Sequence, residues 1–313
     1  MGCPGLGGAN ALRPRDRELA QHLGAALTLF DRDKRALAGI ADPAARETFI
    51  EQVLESIRRV SYVSKIATRG ISERRTDPND ELFDPIKAAI LFQRQGNIEE
   101  AFWMVFLLVH FGKHARAGWR YARGIYGRLG GPGRWDWPSI SSDPAGFRTW
   151  FDANLEALKG EGAHGFGNHR KYESLNDTGA VVESYVRWVA SPRPHQELMN
   201  EALRRSEGDA RRTFDDLYRS MTVARFGRTA RFDYLTMVGK LGLSPIEPGS
   251  TYMSGATGPF NGARLLLGSN DGRANLDRAL VELDSKLNVG MQVLEDALCN
   301  WQKSPSVFKP FRS

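Results

Sequence analysis

Met253-Ser-Gly-Ala-Thr-Gly-Pro-Phe-Asn-Gly-Ala-Arg-Leu-Leu-Leu267 sets Gly255, Gly258, Gly262 and Pro259 directly ahead of an apolar run. Helical spacing precedes it from Arg228 to Leu241 and follows it from about Leu276 to Gln302. Helix, glycine-rich hairpin, helix is an order that suits a grip on one phosphate backbone. Glycines let the chain approach a ligand closely, and the next helix offers unpaired N–H groups and the positive end of its dipole. A tight turn between two helices with no ligand produces the same pattern, and both readings stay open at this point.

Outward from the hairpin the pattern remains helical. Phe49, Val53, Ile57 and Val60 recur on one face, with Asp42-Pro43 ahead of them as a cap and first helical residue. Pro85 to Phe111 is strongly apolar and reads as two helices broken near Gly96, with Phe102, Trp103, Phe106 and Val109 in the core. Further helices are expected at Thr178 to Val189 and over Gln196 to Leu241. No strand-like alternation of any length occurs, so the fold class is all-α. The expected organisation is a disordered Gly/Pro-rich tail over 1–14, an N-terminal helical layer over 15–75, and a main helical body over 76–313.

Lys and Arg number 43 against 37 Asp and Glu, a net +6 that favours an anionic partner. The two cysteines, Cys3 and Cys299, cannot build a disulfide framework or a cysteine zinc site, which fits a reducing cytoplasm. The N-terminus lacks a secretory pattern, and the longest apolar run, Ala101 to Val109, is too short to span a bilayer. A soluble, cytoplasmic and monomeric protein is expected.

Three stretches carry candidate chemistry. From Lys113 to Arg128 basic and aromatic residues interleave, and Arg116, Arg120 and Arg123 share one helical face. Such interleaving suits a nucleic-acid groove, and equally a solvated face over an aromatic core. Gly165-Phe-Gly-Asn-His-Arg-Lys-Tyr-Glu-Ser-Leu175 is the densest polar cluster in the chain. Its Asn168, His169, Arg170, Lys171 and Tyr172 offer donors for phosphates or base edges. Near the C-terminus Gln292, Glu295, Cys299 and Lys303 form a polar stripe, with Asp296 and Asn300 four apart beside it. Such a stripe lines a pocket or faces solvent. Phosphate-loop, zinc-protease and nucleophile-elbow signatures are missing. His110 and His114, at i and i+4, have no evident third ligand, so no metal or cofactor is expected.

Taken together, Asp84 to Trp103, His110-Phe-Gly-Lys-His114, Gly165 to Leu175, the hairpin, and Leu294 to Pro305 resemble the alpha-glutamyl/putrescinyl thymine pyrophosphorylases, clade 3. That group in turn resembles the helix-hairpin-helix DNA glycosylases. Ile90-Leu-Phe-Gln-Arg-Gln95 is similar to their Ile-Leu-x-Gln-Gln helix, and Ala256-Thr-Gly-Pro-Phe-Asn-Gly-Ala-Arg264 to their hairpin. The resemblance implies double-stranded DNA as partner and excision of a bulky modified pyrimidine, as antiphage glycosylases do. Two departures stand out. Ala256 replaces the first hairpin glycine, and Phe260 occupies the place of the Schiff-base lysine of bifunctional enzymes. A monofunctional enzyme is therefore expected.

The resemblance also sets site expectations. A catalytic carboxylate is expected past the hairpin, and Asp277, Glu295 and Asp296 are the candidates. Asp277 and Asp271 both lack the usual hydrophobic-Asp-Thr/Ser context. Asn168, His169 and Lys171 would assist the departing base. Gln93, Arg94, Asn97, Lys113, Arg116, Arg120, Arg170, Tyr172, Asn300 and the three hairpin glycines would hold the DNA, with Gln93 or Asn97 bracing the gap left by a flipped nucleotide. A group-transfer enzyme acting on an activated hydroxymethylpyrimidine, and a non-catalytic sensor of modified DNA, are the alternative functions.

Overall fold

A computed structural model describes residues 14–160, 165–167, 170, 173–189 and 193–310. All the regular elements among them are helical. In chain order they are α1 (Pro14–Asp33), α2 (Pro43–Val60), α3 (Tyr62–Ile66), α4 (Pro85–Arg94), α5 (Ile98–Phe111), α6 (Arg120–Tyr126), α7 (Trp137–Ser142) and α8 (Pro144–Ala153). Then follow α9 (Leu155–Lys159), α10 (Thr178–Val189), α11 (His195–Arg205), α12 (Ala210–Ser220), α13 (Arg228–Lys240), α14 (Gly258–Leu267), α15 (Arg273–Leu287) and α16 (Met291–Trp301). No strand occurs among the described residues, so the fold is all-α. None of these helices is long and apolar enough to cross a membrane.

The chain forms two compact units. One takes the chain as far as Val60 and again from Ala256, and the other runs from Ser61 to Gly255. In the first, α16 packs against both α2 and α14, and α1 packs on α2 and α15. Trp301 meets Phe49 edge to face at 5.1 Å, and both are buried. The contact between α14 and α16 is close enough to demand glycine: a Cβ on Gly262 would lie 2.3 Å from the Leu298 carbonyl oxygen. One on Gly258 would lie 2.7 Å from Cys299 Sγ.

The second unit is built around α5. From Glu100 to Phe111 every residue of that helix is buried, so it has no solvent face. Helices α4, α6, α7, α11 and α13 pack on it. Asp84 caps α4 by accepting from the Ile86 and Lys87 N–H groups, and Gly96, at φ +78°, turns the chain into α5. The break near Gly96 and the span of α10 agree with the sequence reading.

Three expectations are corrected. Gln196 to Leu241 is not continuous but forms α11, α12 and α13. Glu207 and Gly208 take positive φ there, Asp209 caps α12, and 221–227 is non-helical. The downstream pattern from Leu276 is likewise cut, at Asn288 (φ +51°) and Gly290 (φ +90°). Arg116 lies outside α6, in the turn closed by the paired backbones of His114 and Gly118, so it shares no helical face with Arg120 and Arg123. The helices flanking the glycine-rich stretch, α13 and α14, belong to different units, and the connection between them runs from Leu241 to Thr257.

Candidate functional site

Two of the polar stretches singled out above meet in the second unit. At the end of α5, Gly112 takes φ +63°, and a Cβ there would come within 3.2 Å of Gly167 Cα. A Cβ on Gly167 would sit 2.8 Å from the Lys113 carbonyl oxygen. The two backbones therefore cross where neither can carry a side chain. The Gly167 N–H donates to Phe111 O at 2.8 Å, and Arg170 Nε donates to Val109 O at 2.8 Å. Phe166 packs against Phe111 and Tyr121, with ring centroids 5.6 and 5.1 Å away. The Gly-Phe-Gly turn is thus a clamp onto the end of α5. Asn168, His169, Lys171 and Tyr172 lie outside the described residues.

Arg170 is itself buried, at 7% exposure, and its guanidinium reaches Asp233 Oδ2 at 3.4 Å. Asp233 sits on α13 and is 38% exposed. Nearby Arg225, at φ +59°, pairs with Glu173 at 3.5 Å and Asp177 at 3.4 Å. Neither Asp233 nor Arg225 was legible as a site residue, because each gains meaning only from a partner in a distant segment. His110 is not a free ligand. It is buried, with Nε2 3.2 Å from Thr178 Oγ1, and burial together with Arg170 and Arg225 pushes its pKa down to about 3. His114 Nδ1 accepts from the Arg116 and Ala117 N–H groups. Among the described residues no three potential metal ligands group together.

The arginines divide by role. Lys113 and Arg116 are exposed. Arg120 lies against Gly160 and donates to Leu158 O and Lys159 O, so it ties α6 to the end of α9. Beside it, Arg123 and Asn79 line a cleft of about 280 Å³ whose rim includes Leu129. Tyr121, on the same short helix, faces Phe166, so α6 links this cleft to the Gly112–Gly167 crossing. Arg94 donates to Ala67 O and Arg69 O and serves as a brace for that loop. Gln93 is half-buried at the end of α4, and Asn97 is exposed ahead of α5.

The remaining candidates lie in the first unit. Gly258 and Gly262 spend their missing side chains on α16, as described, whereas Gly255 belongs to the second unit and is exposed at φ +77°. Phe260, near the start of α14, has the Arg273 guanidinium of α15 4.0 Å and that of Arg264 5.7 Å from its ring centre. Asp277 on α15 and Glu295 on α16 are half-buried. Asp296 pairs with Arg59 on α2. Asn300 donates to Asp296 O and accepts from Lys303 Nζ. Asp271 is held by Arg35 at 2.6 Å, which keeps its carboxyl below the usual range.

One buried network escaped the sequence altogether. Glu99 accepts from the His195 backbone N–H at 2.9 Å and lies 2.7 Å from Nδ1 of the same residue. His195 Nε2 is 2.6 Å from the Tyr185 hydroxyl, which is 2.9 Å from that of Tyr234. The two segments of the Glu99–His195 pair are 96 residues apart.

Comparison with known proteins finds no match among curated proteins or solved structures. A family does match, over residues 44–313: Alpha-glutamyl/putrescinyl thymine pyrophosphorylase clade 3. Both stretches at the Gly112–Gly167 crossing and the whole α14–α16 assembly lie inside that span. The chain belongs to this family, whose name denotes enzymes that process a modified thymine.

Proposed function

We propose that the protein is a monofunctional DNA glycosylase that removes a bulky hypermodified pyrimidine from double-stranded phage DNA and leaves an abasic site, in antiphage defence. The observation that carries this is the Gly112–Gly167 crossing, where buried Arg170 holds Asp233 with its other side open to solvent. Excision of a base leaves an oxocarbenium-like sugar, and a fixed carboxylate stabilises that charge. In the proposed step the bond between C1′ and the base nitrogen breaks with its electron pair going to the base. Water adds to C1′ and gives up a proton to the carboxylate. Asp233 joins Asp277, Glu295 and Asp296 as a candidate for that carboxylate. Asn168, His169 and Lys171 would protonate or hold the leaving base. Exposed Lys113, Arg116 and Arg123 suit the phosphates.

The test incubates the full chain with phage DNA carrying glucosylated hydroxymethylpyrimidines and with unmodified DNA, and measures abasic sites and released bases. Activity on modified DNA alone supports the reading. Wild-type activity in a variant lacking all four carboxylates would remove the mechanism. Because Phe260 stands where a Schiff-base lysine would be, borohydride should trap no covalent DNA adduct.

A second reading is favoured by the family description itself, which names a pyrophosphorylase. In that case an amine displaces pyrophosphate from an activated hydroxymethyl group on the base. Mass spectrometry of the treated DNA separates the two, since displacement leaves the base attached and changed in mass while excision releases it.

A further inference from the structure

The turn between α6 and α7 is held in a strained shape. Arg128, Leu129 and Gly130 follow one another at φ +50°, +57° and +84°, and only the last has no Cβ to clash. Adjacent ordinary residues in the left-handed region persist only where their surroundings over-determine them, and such places cluster at ligand clamps and active sites. Here the bracing is explicit. The Trp135 N–H donates to Tyr126 O at 2.9 Å and closes the base of the loop. Within it the Gly130 N–H donates to Gly127 O at 2.9 Å and the Gly131 N–H to Arg128 O at 3.0 Å. The Arg128 guanidinium lies 3.9 Å from the centre of the Trp135 ring, which is buried.

The residue that this bracing presents is Leu129. It is 42% exposed, and of the exposed large apolar side chains among the described residues it alone has left-handed backbone. A single exposed leucine is ordinary, but one fixed at the surface by a strained, braced turn is not. It stands at the rim of the cleft of about 280 Å³ that Arg120 and Arg123 line. One flank rests on α6, where a Cβ on Gly124 would lie 3.3 Å from Leu129 Cδ2. Arg123 on the same cleft is exposed and has no ion pair among the described residues.

An apolar tip beside an uncommitted cation matches a nucleic-acid strand, whose phosphates suit the arginine and whose base steps admit an apolar wedge. We infer that Leu129 enters the base stack of duplex DNA beside the nucleotide that is drawn out, with Arg123 on the adjacent phosphate. A drawn-out nucleotide leaves a gap, and a leucine that fills it buries apolar surface only in the opened duplex. Leu129 thereby takes the place for which Gln93 and Asn97 were the sequence candidates. The inference rests on DNA as the partner proposed above, and not on which carboxylate acts.

The experiment uses a duplex oligonucleotide carrying one glucosylated 5-hydroxymethylcytosine with 2-aminopurine as its neighbour, and the same strand alone. 2-Aminopurine brightens when it unstacks, whether or not a base is then released. Wild type should brighten the duplex on binding. Leu129→Gly removes the wedge yet suits φ +57°, so it should fold as well as wild type and bind the single strand unchanged. Its unstacking equilibrium and its rate of abasic-site formation in duplex should each fall about tenfold or more, the factor that burial of one leucine side chain supplies. Leu129→Met, apolar and of similar length, should restore most of both. Wild-type brightening by Leu129→Gly, equal losses on single and double strands, or Leu129→Met no better than Leu129→Gly would overturn the inference. Duplex bound by wild type without brightening would also overturn it and leave excision standing. Brightening without abasic sites would remove excision and leave the wedge in place, and no binding to DNA would end both.

Discussion

Arg170 shows how one side chain can anchor a segment and define a site together. It is buried, donates to Val109 O at the end of α5, and fixes Asp233. Arg170→Met should cost about 2 kcal/mol in urea unfolding, below the usual figure for a broken buried pair because Asp233 keeps solvent contact. Asp233→Asn should leave stability within about 1 kcal/mol while lowering the excision rate about a hundredfold, the usual effect of losing a preorganised electrostatic partner. Full activity in Asp233→Asn would shift the catalytic role to Asp277, Glu295 or Asp296.

Glu100 supplies a pH test. Burial raises its pKa from 4.5 to about 7, against the opposing Trp137 N–H. A raised folded-state pKa means stability that is fully present below pH 4.5 and lost as pH climbs toward 7. Glu100→Gln should abolish that loss, so its stability relative to wild type should improve by about 3 kcal/mol between pH 4.5 and 7. His110 works in the other direction. Its pKa is depressed from 6.5 to about 3, so its neutral form supports the fold above 6.5 and that support fades as pH falls.

Among the helices, the α14–α16 contact is the most demanding. Gly262→Ala would place a methyl 2.3 Å from a backbone oxygen that cannot rotate away, so the helices must separate. A loss of about 3 kcal/mol is expected by chemical denaturation, the upper end for overpacking. Gly255→Ala, exposed at φ +77°, should cost only about 1 kcal/mol. If Gly255→Ala nevertheless weakens DNA binding tenfold or more, the glycine-rich turn touches the ligand. The start of α2, marked by the Asp42-Pro43 cap, was readable in advance because the signal is local. The breaks at Glu207 and Asn288 were not, since both put an ordinary residue in a left-handed conformation that periodicity does not register.

For the protein as a whole, net charge +6 and the exposed Lys113, Arg116 and Arg123 predict a DNA affinity that falls steeply with salt. Arg123→Glu should reduce the slope of log affinity against log salt by about 1 or more without altering the melting temperature. An affinity insensitive to salt would show that phosphates contribute little.

The amino-acid sequence alone determined an all-α protein, the positions of its capped and fully apolar helices, and the family. Each follows from residues near one another in the chain, where spacing, caps and motifs act. Only the tertiary structure decided which polar groups meet: Glu99 with His195, Arg170 with Asp233, Arg59 with Asp296 across 237 positions. It also decided that Gly258 and Gly262 serve helix packing, and that Thr48 and Gln52 open into a pocket. The physical reason is that helical periodicity states which face turns inward, whereas the partner of that face is set by how separate helices pack.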